Sequence, residues 1–369
     1  MDAIIHHLEN REELTPREVA VAADYLLDES GEVEKKARLL KALADKGETA
    51  AEIAEFVTVF LEKAQTPDFI DQSFNGPTID VCGTGGDKLN LFNVSTTSMF
   101  VVAAAGGVVI KHGNRGITSK SGGADVLEAL GVGIDLPSAQ VGTCLEMAGV
   151  GFLFAPQYHP AFRAVVPVRK LLAEQGQRTI FNLIGPLLNP ARPECQLVGV
   201  FDRTLCPIFA EILQRLGRDS AWVVNGATAD GRVVDEVSLM GPTLVCKSGN
   251  FHMRKNEDEL VELWEKSIEE KAEQMDEELQ PSDFGLEVVP ATELQGGDAA
   301  ENAVILEKIL SGQERGPKRD IVRLNAAAAI ACAGLADNID DAFRKTGEIL
   351  DNGAALERLR ILQQHGKNS

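Results

Sequence analysis

Cysteine is sparse in this chain of 369 residues, and its arrangement excludes two kinds of scaffold. The six cysteines (Cys82, Cys144, Cys195, Cys206, Cys246 and Cys332) are scattered, with no CxxC pair. That rules out a zinc site of the usual spacing and a disulfide framework, and it implies buried thiols in a reducing, cytoplasmic setting. Positive charge is also in deficit. Lys and Arg number 36 against 56 Asp and Glu, a net charge of −20, which opposes nucleic-acid or anionic-membrane binding because both need a basic face. An anionic small substrate is still compatible, since local cations and backbone donors decide that. No apolar run reaches the roughly 20 residues of a membrane helix, and Met1–Leu14 is too polar for a signal peptide. Internal repeats and low-complexity linkers are absent as well.

What is present is an ordinary globular composition, 44% hydrophobic and 25% charged, in a chain long enough that two lobes are expected rather than one. The first ~70 residues read as helices only by apolar spacing. Thr15-Pro16-Arg17-Glu18 opens one, with Thr15 as N-cap, Pro16 at the first helical position and Glu18 completing a capping box. Thr49–Glu62 is a further amphipathic stretch. From Pro77 the texture changes. Ile79–Cys82 and Gly107–Ile110 read as buried strands flanking the helix Ser95–Ala105, a βαβ unit whose strands are parallel and adjacent. The spacing then predicts helices over Ser121–Leu130, Ser138–Ala148 and Cys206–Leu216, and strands over Gly151–Phe154, Leu197–Phe201 and Ala221–Val224. Thr243–Lys247 and Phe251–Arg254 read as a hairpin. Ala299–Leu310, Val322–Leu335 and Ile339–Gln364 read as closing helices. The acidic stretch Asn256–Glu278 reads as a solvated helix face.

The expected architecture is α/β: a small N-terminal helical domain over residues 1–75, joined by helical material from about 168–193, and a larger α/β domain over 76–369. That larger domain has a mostly parallel central sheet flanked by helices.

Two glycine-rich polar loops leave the ends of the first two strands. The first runs from Gly83-Thr84-Gly85-Gly86-Asp87 to Asn93-Val94-Ser95-Thr96. It matches neither a Walker loop nor GxGxxG, yet glycines ahead of a helix N-terminus suit a phosphate or pyrophosphate. The second runs from Lys111-His112-Gly113-Asn114-Arg115 through Ser119, Lys120 and Gly123 to Asp125, with three cations among hydroxyls and amides. Open α/β sheets bind ligands at such carboxyl ends. His112 suits a packed imidazole as well as a ligand contact. Asp235-Glu236 offers hard oxygens suited to Mg²⁺, although on spacing alone an incidental acidic pair is the favoured explanation. Arg169, in Pro167-Val168-Arg169-Lys170, has no distinguishing local signature.

Taken in series, GTGGD, NVST, KHGNR, SKSGGADVLEALG, RTIFNLIGPLLNP and VVDEVS closely resemble the anthranilate phosphoribosyltransferases, with DFGL at Asp283–Leu286 and GGDAAENA at Gly296–Ala303 in the same order. The resemblance runs from about Leu14 to about Gln364. It implies transfer of a phosphoribosyl group from 5-phosphoribosyl 1-pyrophosphate (PRPP) to the amine of anthranilate, with Mg²⁺, in tryptophan biosynthesis, by a homodimer. By the same resemblance Gly83, Gly86, Asp87, Asn93, Ser95, Thr96, Lys111, Ser119 and Gly123 hold the donor. Ser95, Asp235 and Glu236 hold the metal. Gly83, His112, Asn114, His159, Arg169 and Pro186 meet anthranilate. No general base is assigned. The chain departs from the family pattern at Leu91, where a threonine is usual, at Gly123, where a serine is usual, and in a longer Leu171–Gln177 stretch. The rivals are a pyrimidine nucleoside phosphorylase, which needs no acidic pair, and a non-catalytic nucleic-acid binder, which the charge opposes.

Overall fold

The computed structural model describes residues 1–86, 89–116, 120–249 and 276–367. It opens with four helices: α1 (Asp2–Glu9), α2 (Pro16–Leu27), α3 (Val33–Lys46) and α4 (Ala50–Glu62). The expected box at α2 is formed: Thr15 Oγ1 accepts from the Glu18 N–H at 3.4 Å, and Glu18 Oε2 accepts from the Thr15 N–H at 3.0 Å. Thr49 and Glu52 repeat it at α4, at 3.2 and 2.9 Å. Each box satisfies two backbone donors that a helix start leaves orphaned. Glu52 also meets Lys46 at 2.6 Å, with both side chains at most 3% exposed.

The α/β portion follows in the order β1 (Thr78–Gly83), α5 (Val94–Ala104), β2 (Val108–Gly113), α6 (Gly123–Ala129), α7 (Ser138–Ala148), β3 (Val150–Phe154), α8 (Ala155–Tyr158) and α9 (Val166–Glu174). Next come β4 (Cys195–Gly199), α10 (Leu205–Arg215), β5 (Ser220–Ala227), β6 (Val233–Val234), β7 (Thr243–Gly249) and β8 (Asp276–Leu279). Four helices close the chain: α11 (Ala299–Leu310), α12 (Pro317–Cys332), α13 (Ile339–Asp351) and α14 (Ala354–His365). The eight strands form one sheet in the order β3-β2-β1-β4-β5-β7-β8, with β6 on β5. From β3 to β5 all pairs are parallel, and β6, β7 and β8 add antiparallel edges.

Both faces of the central strands are covered, which is why they read as continuous apolar runs rather than alternating ones. Successive residues still point to opposite faces. On β4 and β5, Leu197, Trp222 and Val224 pack with Phe100 and Ile330 on one face. Val198, Ala221 and Val223 pack with Phe209 of α10 and with Phe56 and Phe60 of α4 on the other. The core of the N-terminal helices is therefore continuous with the second face of the sheet. Each fully buried Phe or Leu contributes roughly 1.5–3 kcal/mol by area.

Two sequence expectations change, and a third is tested only in part. Ile339–Gln364 is two helices, α13 and α14, broken at Asn352-Gly353, where Gly353 has φ 78°. The strand begun at Thr243 pairs with β5 and β8, while the hairpin's second arm, Phe251–Arg254, lies outside the described residues. Of the acidic stretch Asn256–Glu278, residues 276–278 are strand rather than helix, and the rest lies outside the described residues. No helix among the described residues is long and apolar enough to cross a membrane.

Candidate active site

The chain moves from β1 to β2 and β3 on one side of the sheet, then returns to start β4 and β5 on the other. Such a reversal leaves a crevice at the carboxyl ends of the two strands that flank it. Here those strands are β1 and β4, paired through Gly83 and Gly199 at their last residues. Both glycines are demanded by packing. A Cβ on Gly83 would run into the Asp235 carboxylate, and one on Gly199 into the Asp235 backbone. Asp235 thus lies directly over the crevice, where its Oδ2 accepts the Gly85 N–H at 2.6 Å. Gly85 has φ 71°, a conformation that favours glycine.

Asn93 caps α5, the helix between β1 and β2, and places Ser95 and Thr96 in its first turn. Lys111 of β2 is only 5% exposed. Its ammonium is held by the Val81 carbonyl and, at 3.2 Å, by Ser95 Oγ. A Cβ on Gly123, at the start of α6, would stand 3.3 Å from Thr96 Oγ1 and 3.5 Å from Lys111 Cε. Gly83, Ser95, Thr96, Lys111, Gly123 and Asp235 therefore converge around one helix N-terminus, which attracts anions through its free N–H groups and dipole. Glu236 lines a cavity of about 10 Å³ together with Ser95, Ser98 and Asn325, room for about one water. Gly86 continues the same loop at φ 95°. Asp87 and Ser119 lie outside the described residues.

Those oxygens are the right donors for Mg²⁺, which takes one or two carboxylates plus water and ligand oxygens. Among the described residues no group of three or more His, Cys, Asp or Glu side chains gathers as a metal cluster. A metal here depends on Asp235, Glu236, the Ser95 hydroxyl and the oxygens of a phosphorylated ligand.

The other side of the crevice is aromatic. The His112 and His159 rings are 5.2 Å apart, and His159 is 5.2 Å from Phe162. His159 Nε2 bonds the Leu188 carbonyl at 2.8 Å. His112 Nε2 is shielded from solvent without a partner. Burial first, then His159 and Lys111, lower its pKa to about 3, so it is a neutral imidazole near pH 7. Burial also lowers His159. Pro186 lies in the 3₁₀ turn Gly185–Leu187 and is buried. Arg169 of α9 is exposed, with its guanidinium 5.7 Å from the Phe181 ring. Asn114 is exposed and turns its Oδ1 onto the Arg115 N–H at 2.8 Å. Arg115 is drawn the other way, to Glu128 at 2.7 Å and Asp125 at 3.1 Å.

Sequence reasoning missed the braces behind these groups. Asn302, in the GGDAAENA segment, donates to Asn93 Oδ1 at 2.9 Å and accepts from the Gly297 N–H at 2.8 Å. Asn325 of α12 grips both backbone groups of Val237, at 2.8 and 2.9 Å, and so fixes the turn that carries the acidic pair. The GGDAAENA and GPLLNP motifs contain two such braces, Asn302 and Asn189, but nothing in a linear motif says what an amide reaches. Leu91 forms an antiparallel bridge with Gln295. A larger cavity of about 330 Å³ includes Asn75, Gly106, Glu146, Gly149 and Arg358 in its lining. It lies by the amino ends of β1–β3 and includes none of the expected site residues.

Comparison with known proteins agrees with this geometry. Residues 75–356 match the family described as glycosyl transferase family, a/b domain. The chain is 42% identical to the anthranilate phosphoribosyltransferase of Herpetosiphon aurantiacus, over 97% of this chain and 96% of that one. It is 41% identical to that of Haloferax volcanii, over 99% and 100%. Among solved structures it is similar to the anthranilate phosphoribosyltransferase of Thermus thermophilus, with TM-score 0.83, 35% identity and 98% of each chain covered. It is also similar to the Saccharomyces cerevisiae enzyme in complex with PRPP and Mg, with TM-score 0.79, 26% identity, and 99% and 98% covered.

Proposed function

The chain belongs to the anthranilate phosphoribosyltransferases within the glycosyl transferase a/b-domain family, and we propose that its β1–β4 crevice holds the donor while its aromatic side holds the acceptor. The reaction transfers the 5-phosphoribosyl group of PRPP to the amine of anthranilate and releases pyrophosphate, a step of tryptophan biosynthesis. The observation that carries the residue assignment is Asp235, set over the paired ends of β1 and β4 and bonded to the Gly85 N–H.

Gly83, Gly86, Asp87, Asn93, Ser95, Thr96, Lys111, Ser119 and Gly123 form the donor site. Backbone N–H groups of the glycine loop and of the first turn of α5 receive the pyrophosphate, where charge builds up as the C1–O bond breaks. Lys111 fixes Ser95 from inside the sheet. Asp235, Glu236 and the Ser95 hydroxyl would hold Mg²⁺, which would supply positive charge to the leaving pyrophosphate. Asn114 and Arg169 hold anthranilate, with Arg169 forking onto its carboxylate, and Gly83, His112, His159 and Pro186 wall its place. The amine then faces C1, so that the C1–N bond forms as the C1–O bond breaks and the extra amine proton passes to water. His112 is neutral and half-buried, suited to packing rather than to proton transfer. Positioning and electrostatics account for the rate, with no general base.

The units 1–75 with about 168–193, and 76–369, are the parts between which the crevice opens. Two copies associate through the helical unit, a reading supported by Val21 of α2, which is 47% exposed. Six free cysteines, five of them buried, support a reducing cytoplasm. The decisive assay gives the purified protein PRPP, Mg²⁺ and anthranilate. Anthranilate-dependent pyrophosphate release is expected. Phosphorolysis of thymidine without it would make the protein a nucleoside phosphorylase.

A further inference from the structure

We propose that Gln196 is a positioning residue for the acceptor side, acting through the Gly185–Pro190 turn. It is the second residue of β4, fully buried, opposite Asp80 on β1 and Ala221 on β5. Its Nε2 donates to the Pro186 carbonyl at 2.6 Å. Its Oε1 accepts from Arg218 Nε at 3.1 Å. Glutamine is the side chain of this length with a donor and an acceptor on one planar head, and both are used. Arg218, itself 5% exposed, dictates which way that head is turned. The Cys82 thiol, 4.0 Å from the same carbonyl, is a weaker donor at longer range.

The turn has little internal bonding to hold its shape. Its backbone bonds are Leu187 N–H to Ile184 at 2.8 Å and a long one, Leu188 N–H to Gly185, at 3.4 Å. It is anchored from outside instead. Gln196 takes the Pro186 carbonyl and His159 takes the Leu188 carbonyl at 2.8 Å. Asn189 donates to Asp80 Oδ2 at 2.9 Å and to the Ile110 carbonyl at 2.7 Å. The Gly185 backbone also acts on the His112 ring, favouring its charged form. Releasing the Pro186 carbonyl therefore moves the acceptor wall. The donor side has independent braces in Asp235–Gly85, Asn302–Asn93 and Asn325–Val237.

This inference rests on the reading of Pro186 and His112 as acceptor walls, and the test separates the two. Steady-state kinetics on the full chain compare Gln196→Met, Gln196→Glu and Asn114→Ala. Gln196→Met should raise KM for anthranilate about tenfold, the scale of one lost buried hydrogen bond, with KM for PRPP unchanged. Gln196→Glu keeps the Arg218 partner but turns a carboxylate oxygen onto the Pro186 carbonyl, at some cost in melting temperature. It should show the same selective shift, with KM for PRPP unchanged. Arg218→Met, which frees the head to rotate, should give a smaller shift in the same direction. Equal rises in both KM values, or native kinetics in Gln196→Glu, would overturn the role of Gln196. Native KM for anthranilate in Asn114→Ala would overturn the acceptor reading itself, and the proposal with it.

Discussion

The two sides of the crevice are built by different means. The donor side is made of backbone: paired glycines at the ends of β1 and β4, a glycine loop, and the first turn of α5. Its ligand groups sit within short, consecutive motifs because helix N-termini and glycine turns are local structures. The proposed acceptor side is made of side chains at 112, 114, 159, 169 and 186, of which His112 and His159 meet ring to ring across the ends of separate elements. A phosphate needs many convergent N–H groups, which backbone supplies readily. A flat aromatic acid needs walls, which only packed side chains supply.

Substitutions should therefore separate the sides cleanly. The largest effect is expected at the donor side. Asp235→Asn with Glu236→Gln should lower kcat/KM by on the order of 10²–10³-fold and abolish the response to added Mg²⁺. A Mg²⁺ titration of the double variant checks it, and native behaviour would remove the acidic pair from the site. At the acceptor side, Arg169→Ala should raise KM for anthranilate roughly 10–100-fold while sparing PRPP, the equivalent of roughly 1.5–3 kcal/mol for a charged hydrogen bond. Parallel rises in both constants would take Arg169 out of the acceptor site.

The smallest effect concerns His112. Its pKa is lowered by burial to about 3 in the folded protein, against about 6.5 in an unfolded chain. The unfolded state then binds the extra proton first. The stability this contributes is present above about pH 6.5 and is lost as the pH falls toward 3. Urea midpoints at pH 7.5 and pH 5 should differ more in wild type than in His112→Asn. Identical losses in the two proteins would show that the imidazole is not shielded. The pH profile of kcat between 6.5 and 8.5 should carry no inflection from His112.

How much of this could be read before folding varies residue by residue. The box at Thr15 depends on contacts three residues apart, so local spacing was enough. The parallel pairing of β1 with β2 followed from their crossover length. By contrast, Asp235-Glu236 reads as an incidental acidic pair on spacing alone and as a metal pair only through the family resemblance, and it is the structure that sets Asp235 over Gly83 and Gly199. Residue 235 closes onto residues 83 and 199 only through the order of the strands. The single helix read over Ile339–Gln364 failed because the apolar period continues past Gly353, while the positive φ there turns the axis. Lys111 reads as one of three ligand-binding cations in the second loop, but nothing local tells that strand pairing buries its ammonium against Val81 and Ser95.

By itself, then, the sequence determined the class of ligand, the order of the principal elements and the ends of several helices. Each of these is set by neighbours within a few residues, through capping, periodicity and glycine geometry. Only the tertiary structure decided which side chains share the crevice and what holds them there. Gln196 beneath Pro186 and Asn302 behind Asn93 are paired by the strand order and by helix packing, whose contacts span long stretches of chain and leave no local trace.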